Sequence, residues 1–297
     1  MSHIIKVAIV QHACEDDYAE NLQRSIDGIK EAAAMSADIV LLPELHTGPY
    51  FCVEAHTRHF DRAEAIPGTT TDHFGTLAKE LGIIIICSLF EKRSKGLYHN
   101  TAVVLDSNGE IAGRYRKMHI PDDPGYYEKF YFTPGDLGFK PIQTSIGELG
   151  VLVCWDQWFP EAARLISLAG AEILFYPSAI GWDPSDDQAE KDRQREAWIT
   201  IQRAHAIANN LPVVSSNRIG HETDPSGATT GTDFWGSSFI CGQQGEILAQ
   251  APADAAAVII SDIDLERTDQ VRRIWPYLRD RRIDAYQDIL RRHIDDE

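Results

Sequence analysis

Short apolar runs alternate with amphipathic stretches along most of the chain, and the two kinds differ in period. Residues 6–11 (KVAIVQ) are rich in β-branched side chains and predict a strand. Over 18–35 the apolar residues, among them Leu22, Ile26 and Ile29, recur at helical spacing. A buried strand at 38–42 (DIVLL) is stopped by Pro43, and a helix at 71–81 ends at Gly82. Residues 83–90 are continuously apolar, the pattern of a strand covered on both faces. Strands at 98–105 and 110–116 flank a hairpin-type turn, Asp106-Ser107-Asn108-Gly109.

The second half repeats the alternation. It predicts strands at 150–154, 172–176, 211–215, 234–240, 246–250 and 256–262. Helices are predicted at 159–169, with Pro160 in the first turn, at 187–208, and at 265–273. A loop over 119–140, rich in Pro, Gly, Asp and Tyr, is long enough to suggest a function. No repeat or linker interrupts the pattern, so one α/β domain over 1–297 is expected.

Composition narrows the options. Asp and Glu number 45 against 28 Lys and Arg, a formal charge of −17, which disfavours a nucleic-acid partner. No apolar run is long enough to span a bilayer, so no membrane partner is expected. The opening MSHIIKVAIVQH is a polar head running into one strand rather than a signal peptide. Five cysteines without a CxxC pair then predict free thiols in a reducing, cytoplasmic compartment. The histidines form no HExxH, and no metal or organic cofactor is expected.

Candidate chemistry sits at three strand ends. Glu44 directly follows a buried strand, where partial desolvation favours a general base. Lys117 ends the return strand of the hairpin and can hold positive charge beside a reacting centre. Cys154 ends a strand shortly before a helix, the turn geometry that presents a nucleophile beside free backbone N–H groups. Each alone reads more readily as a loop acid, a solvated lysine or an inert core thiol. Base, cation and thiol together form a coherent set for acyl transfer.

These segments, PEL at 43–45, RKMHIP at 116–121 and CWDQWFPEAAR at 154–164, resemble the carbon–nitrogen hydrolases of the nitrilase superfamily. HIPDDPGYYEKFYFTPGD at 119–136, GAEILFYPSAIG at 170–181 and SSNRIG at 215–220 narrow the resemblance to amidases of carbamoylated diamines. Departures are His46-Thr47, Asp123, Tyr127 and Trp182-Asp183. The resemblance implies a four-layer α-β-β-α sandwich. It implies Cys154 as nucleophile, Glu44 as general base, and Lys117 with the Trp155 backbone N–H as oxyanion donors. Glu128 matches the family's second glutamate, which positions Lys117 and substrate. It further implies a homo-oligomer built from dimers through the 159–169 helix, with 275–297 packing on a neighbouring subunit.

The implied substrate is a small cationic carbamoyl compound, with an ammonium at the far end of a four-carbon chain. Such a pocket wants aromatic walls, for which Tyr50, Tyr126 and Trp155 are candidates, and a carboxylate at its bottom, for which Asp183 is the candidate. Rival carbon–nitrogen hydrolases, a β-ureidopropionase, an ω-amidase or an N-carbamoyl-amino-acid hydrolase, take substrates ending in carboxylates. These would need an arginine there, such as Arg116 or Arg218. A catalytically dead interaction module is the rival outside enzymes, and the intact Glu44, Lys117, Glu128 and Cys154 speak against it.

Overall fold

The computed structural model describes residues 4–294. Two six-stranded mixed sheets carry the chain. The first runs, edge to edge, Ala257–Asp264, Ile4–Gln11, Ile39–Leu41, Ile84–Ser94, Leu97–Leu105 and Ile111–Arg116. The second runs Ile247–Gln250, Phe239–Cys241, Val213–Ser216, Ile173–Pro177, Glu148–Val151 and Ile142–Gln143. Within each sheet the central pairs are parallel and the outer pairs antiparallel.

Side-chain alternation along the first sheet explains the layers. Ile5, Val7, Ile9, Ile84 and Ile86 point into a core shared with the second sheet. Their neighbours Ala8, Val10, Ile85 and Cys87 pack against the helices Tyr18–Ala34 and Thr69–Leu81. The second sheet is apolar on both faces: Ile173, Leu174, Phe175 and Tyr176 are all fully buried. Its outer face is covered by the helices Pro160–Leu168 and Gln188–Asn209, through Ile166, Trp198 and Ala206. The architecture is therefore the expected four-layer α-β-β-α sandwich.

Helix starts follow the chemistry at their first residues. Asp17, Asp187 and Asp264 each accept a backbone N–H of the helix that follows, and Pro160 takes the first helical position of its own. Most predicted elements lie within two residues of their observed bounds. One expectation is corrected: 234–240 is two strands, Thr232–Trp235 and Phe239–Cys241, in different sheets. Gly236 and Ser237 between them have φ of +46° and +56°, two consecutive left-handed residues that break the extended backbone. The strand Thr232–Trp235 pairs instead with Ile219–Glu222 and Gly181–Trp182 in a small antiparallel sheet at the end of the sandwich.

The segment after the helix Leu265–Ile274 lies along its own chain, where Arg281, Tyr286 and Ile289 border a cavity with Arg164, Leu165 and His205. The last three residues of the predicted 275–297 tail lie outside the described residues.

Close approach of helix and sheet also sets a packing limit. Gly28 faces Val10 so tightly that a Cβ there would collide with the valine side chain. An alanine would normally favour the helix by up to about 1 kcal/mol. Here overpacking prevails, and Gly28→Ala is expected to lower stability by about 1–3 kcal/mol, read as a reduced urea midpoint at unchanged m-value.

Candidate active site

Three strand ends converge at one end of the two sheets. Glu44 follows the strand Ile39–Leu41 by way of Leu42 and Pro43; its N–H donates to Ser178 O at 3.2 Å, which ties the loop to the other sheet. Lys117 immediately follows the strand Ile111–Arg116; its N–H donates to Asn100 O, and its own carbonyl accepts from Gly135 N. Cys154 opens the short 3-10 helix Cys154–Trp158, beyond the strand Glu148–Val151. The strand predicted to end in the cysteine thus stops earlier, and the thiol sits on the turn itself. Cys154 has φ +44°, a strained left-handed value for a residue with a side chain.

Asp156 holds that turn in place. One of its oxygens accepts from Val153 N at 2.9 Å and Tyr115 Oη at 2.9 Å. The other accepts from His119 N at 3.0 Å and lies 2.6 Å from His119 Nδ1. One buried carboxylate therefore joins the residue before Cys154 to the strand end that carries Lys117. The sequence offered Asp156 as part of a motif, without this role.

The fourth member comes from the long loop. Glu128 opens the 3-10 turn Glu128–Phe130, and its carboxylate takes Lys117 Nζ at 2.8 and 2.7 Å. Lys117 Nζ also donates to Glu44 Oε1 at 2.9 Å, and Asn100 Nδ2 donates to the same oxygen at 2.7 Å. Glu44 and Lys117 have no solvent exposure. Among the described residues, Glu44 Oε2 has no hydrogen-bond partner.

Charge states follow from this packing. Burial opposes the Lys117 charge, but Glu128 and Glu44 outweigh it and hold the ammonium well above its ordinary pKa. Burial pushes Glu128 up to about 7, against the pull of Lys117. Burial, with Glu44 adding to it, also raises the Cys154 thiol well above its ordinary value, although Lys117 works the other way. The resting nucleophile is therefore a thiol, and an adjacent base must take its proton.

Beside Cys154 lies a cavity of about 380 Å³. Tyr126, Trp155, Trp158, Ile180 and Trp235 form its walls, with Glu128 at the inner end and Gln194 also bordering it. Tyr126 and Trp155 are placed as expected. Tyr50 is not: it is buried behind the wall, and its hydroxyl donates to Glu128 Oε1 at 2.6 Å. Asp183 is also corrected. It is exposed, two residues beyond the lining residue Gly181, and does not line the cavity. Its Oδ1 accepts from Ser185 N at 2.8 Å and Ser185 Oγ at 2.7 Å, a local turn that holds it at the rim. Arg116 pairs with Glu91 and Asp136, and Arg218 is buried behind Glu44.

Asn100 had no clear signal beyond an asparagine within an apolar strand, where that residue is uncommon. No group of residues able to hold a metal occurs among the described residues.

A buried thiol beside a lysine and two carboxylates suits acyl transfer to cysteine, and the four-layer frame that carries them is that of the nitrilase superfamily. The family model described as carbon-nitrogen hydrolase matches residues 6–273, so the chain belongs to the carbon–nitrogen hydrolase family. It is 43% identical over 291 residues to an N-carbamoylputrescine amidase of Solanum lycopersicum, covering 97% of this chain and 96% of the relative. It is 41% identical to a citrullinase of Francisella tularensis subsp. tularensis, covering 97% and 99%. A crystal structure of a carbon–nitrogen hydrolase from Helicobacter pylori G27 superposes with a TM-score of 0.96 at 52% identity, covering 98% of this chain and all of that one.

The raised thiol gives a direct pH expectation. A group with an elevated pKa stays protonated until that pKa is approached, so alkylation of Cys154 by iodoacetamide should keep accelerating to at least about pH 9. A plateau near neutrality, followed by mass spectrometry of the Cys154 peptide, would show a thiolate already formed at rest.

Proposed function

We propose that this enzyme hydrolyses N-carbamoylputrescine to putrescine, carbon dioxide and ammonia. The carrying observation is the cavity beside Cys154: aromatic and apolar along its length, and lined by no arginine or lysine among the described residues. A carboxylate-ended ureide would need a cation there, and the two arginines that could supply one are committed elsewhere. At the mouth acids stand among cations: Asp183 lies exposed near Lys191, Gln194 Nε2 donates to Asp186 at 3.0 Å, and Glu190 is paired with Arg193. An ammonium reaching out of the apolar channel would meet Asp183 and Asp186. The similarity to N-carbamoylputrescine amidases over nearly the full length supports the same substrate.

Chemistry would begin with Cys154 Sγ attacking the ureido carbon while its proton passes to Glu44, whose Oε2 has no hydrogen-bond partner among the described residues. The oxyanion is met by Lys117 Nζ and the Trp155 N–H, a first-turn donor without an intrahelical acceptor. Lys117 can redirect one of the two hydrogens it spends on Glu128. Glu44 returns the proton to the leaving ammonia, and a thiocarbamate remains on Cys154. Water activated by Glu44 then displaces the thiol. The released carbamate decomposes to carbon dioxide and the diamine. Losing the Lys117 ammonium should cost about 100- to 1,000-fold in kcat, since it removes a principal oxyanion donor.

One observation favours a second reading. The chain is also 41% identical, over 97% of its length, to a citrullinase. That likeness supports a ureide whose far end carries an amino-acid carboxylate, as in citrulline.

We also propose a cytoplasmic role in polyamine synthesis and an assembly of dimers. Leu165 and Leu168 on the helix Pro160–Leu168 are 49% and 47% exposed, which favours that face as the contact. Sedimentation equilibrium would return a monomer mass if this were wrong.

Ammonia release from N-carbamoylputrescine, citrulline and N-carbamoyl-β-alanine separates the readings. The diamine compound is expected to win in kcat/KM by at least about tenfold; preference for N-carbamoyl-β-alanine would sink the assignment. Asp183→Asn with Asp186→Asn should raise KM for N-carbamoylputrescine several-fold, about 1 kcal/mol at an exposed site, and leave neutral butylurea unchanged.

A further inference from the structure

Behind Glu44, on the side away from the cavity, lies a fully buried arginine that the chemistry above does not use. Arg218 has no solvent exposure. Its Nη2 donates to Glu44 O at 2.6 Å and Leu45 O at 3.0 Å; its Nη1 donates to Gly48 O at 3.1 Å and Glu222 Oε1 at 2.7 Å. Three carbonyls of one short loop thus converge on one guanidinium. That convergence has a conformational cost, because Leu45 sits at φ +48°, a left-handed value unfavourable by about 1–2 kcal/mol for such a residue. A lysine ammonium could not match the planar fork that reaches these acceptors.

Glu222 extends the arrangement. Its other oxygen, Oε2, accepts the N–H of Tyr50, and the Tyr50 hydroxyl donates to Glu128 Oε1 at 2.6 Å. One buried ion pair is therefore linked to both carboxylates that flank Lys117: to Glu44 through its own carbonyl, and to Glu128 through Tyr50. The Phe234 ring, 5.3 Å from the guanidinium carbon, covers the cation.

We propose that the Arg218–Glu222 pair positions both working carboxylates, and that Arg218 makes no contact with substrate. This rests on the reading of Glu44 and Glu128 as parts of the catalytic set. A misplacement of the base by a fraction of an ångström is costly to rate and nearly neutral to binding. The signature of a positioning role is thus a fall in kcat at constant KM.

The test uses the full chain and the preferred ureide from the substrate comparison. Arg218→Lys is expected to lower kcat about 100-fold with KM within about twofold, at a melting temperature that leaves it folded in the assay. Glu222→Gln keeps one acceptor and loses the other, so a fall of about tenfold is expected. It carries the test if the arginine variant proves unstable. Tyr50→Phe combined with Glu222→Gln should lose clearly less than the product of the two single effects, because both act on Glu128 along one path. A merely structural role would lower stability and leave kcat per folded enzyme unchanged.

A raised KM at unchanged kcat in Arg218→Lys would make Arg218 a substrate contact and overturn the proposal. So would wild-type kcat in Glu222→Gln, or full additivity in the double variant. If instead Glu44→Gln retained wild-type kcat, the reading of the base would fail, and that result is distinct from the others.

Discussion

The Lys117 ammonium, enclosed between two carboxylates with no exposure to solvent, is the interaction on which the rest of the structure depends. Removing one partner of a buried pair typically costs about 3–5 kcal/mol, because the charge left behind is unpaired. The chain must therefore bring three distant segments to one point and keep water out. It does so with strand ends for Glu44 and Lys117 and with the long 119–140 loop for Glu128. Asn100 and Tyr50 take up lone pairs that the ammonium does not reach. Glu44 Oε2 is left open, and it is the one carboxylate oxygen of the pair without a hydrogen-bond partner among the described residues.

Around that ion cluster the molecule separates reaction from recognition. The polar atoms gather at the inner end, where Cys154 sits on a strained turn that Asp156 fastens to the lysine strand. The channel beyond is aromatic, with little on its walls to bind a charge. Charged groups return at the mouth, on the turn and helix that follow Gly181, where Asp183 and Asp186 stand beside Lys191 and the Arg193–Glu190 pair. A substrate with a neutral ureide and a remote ammonium matches this order of environments from inside to outside.

Strand ends were legible because their signals are local. A run such as DIVLLPEL states a buried strand, its stop and a following acid in consecutive residues, and GVLVCWD does the same for the thiol. The assignment of Tyr50 to the wall failed because an aromatic beside a pocket and one behind it look alike in sequence; only its hydroxyl, pointing to Glu128, distinguishes them. Asp183 was displaced from floor to rim by two short hydrogen bonds from Ser185, a local competitor that outranks a distant ammonium in the resting chain. The 234–240 run divided because Gly236 and Ser237 take left-handed backbone, and residues on either side then joined different sheets.

The sequence by itself determined the alternation of strands and helices, the three strand-end residues Glu44, Lys117 and Cys154, and through its motifs the family and the four-layer frame. Each depends on neighbours in the chain: periodicity, a proline stop, a cap, a motif of adjacent residues. Tertiary structure alone decided which oxygen of Glu44 has no hydrogen-bond partner among the described residues, that Asp156 joins the Cys154 turn to the lysine strand, and that Arg218 and Glu222 form a hydrogen-bonded pair behind both acids. Those facts depend on hydrogen bonds between distant positions, 37 apart from His119 to Asp156 and 174 apart from Arg218 to Glu44. Hydrogen bonds are short and directional, so their partners are settled only when the sheets have packed.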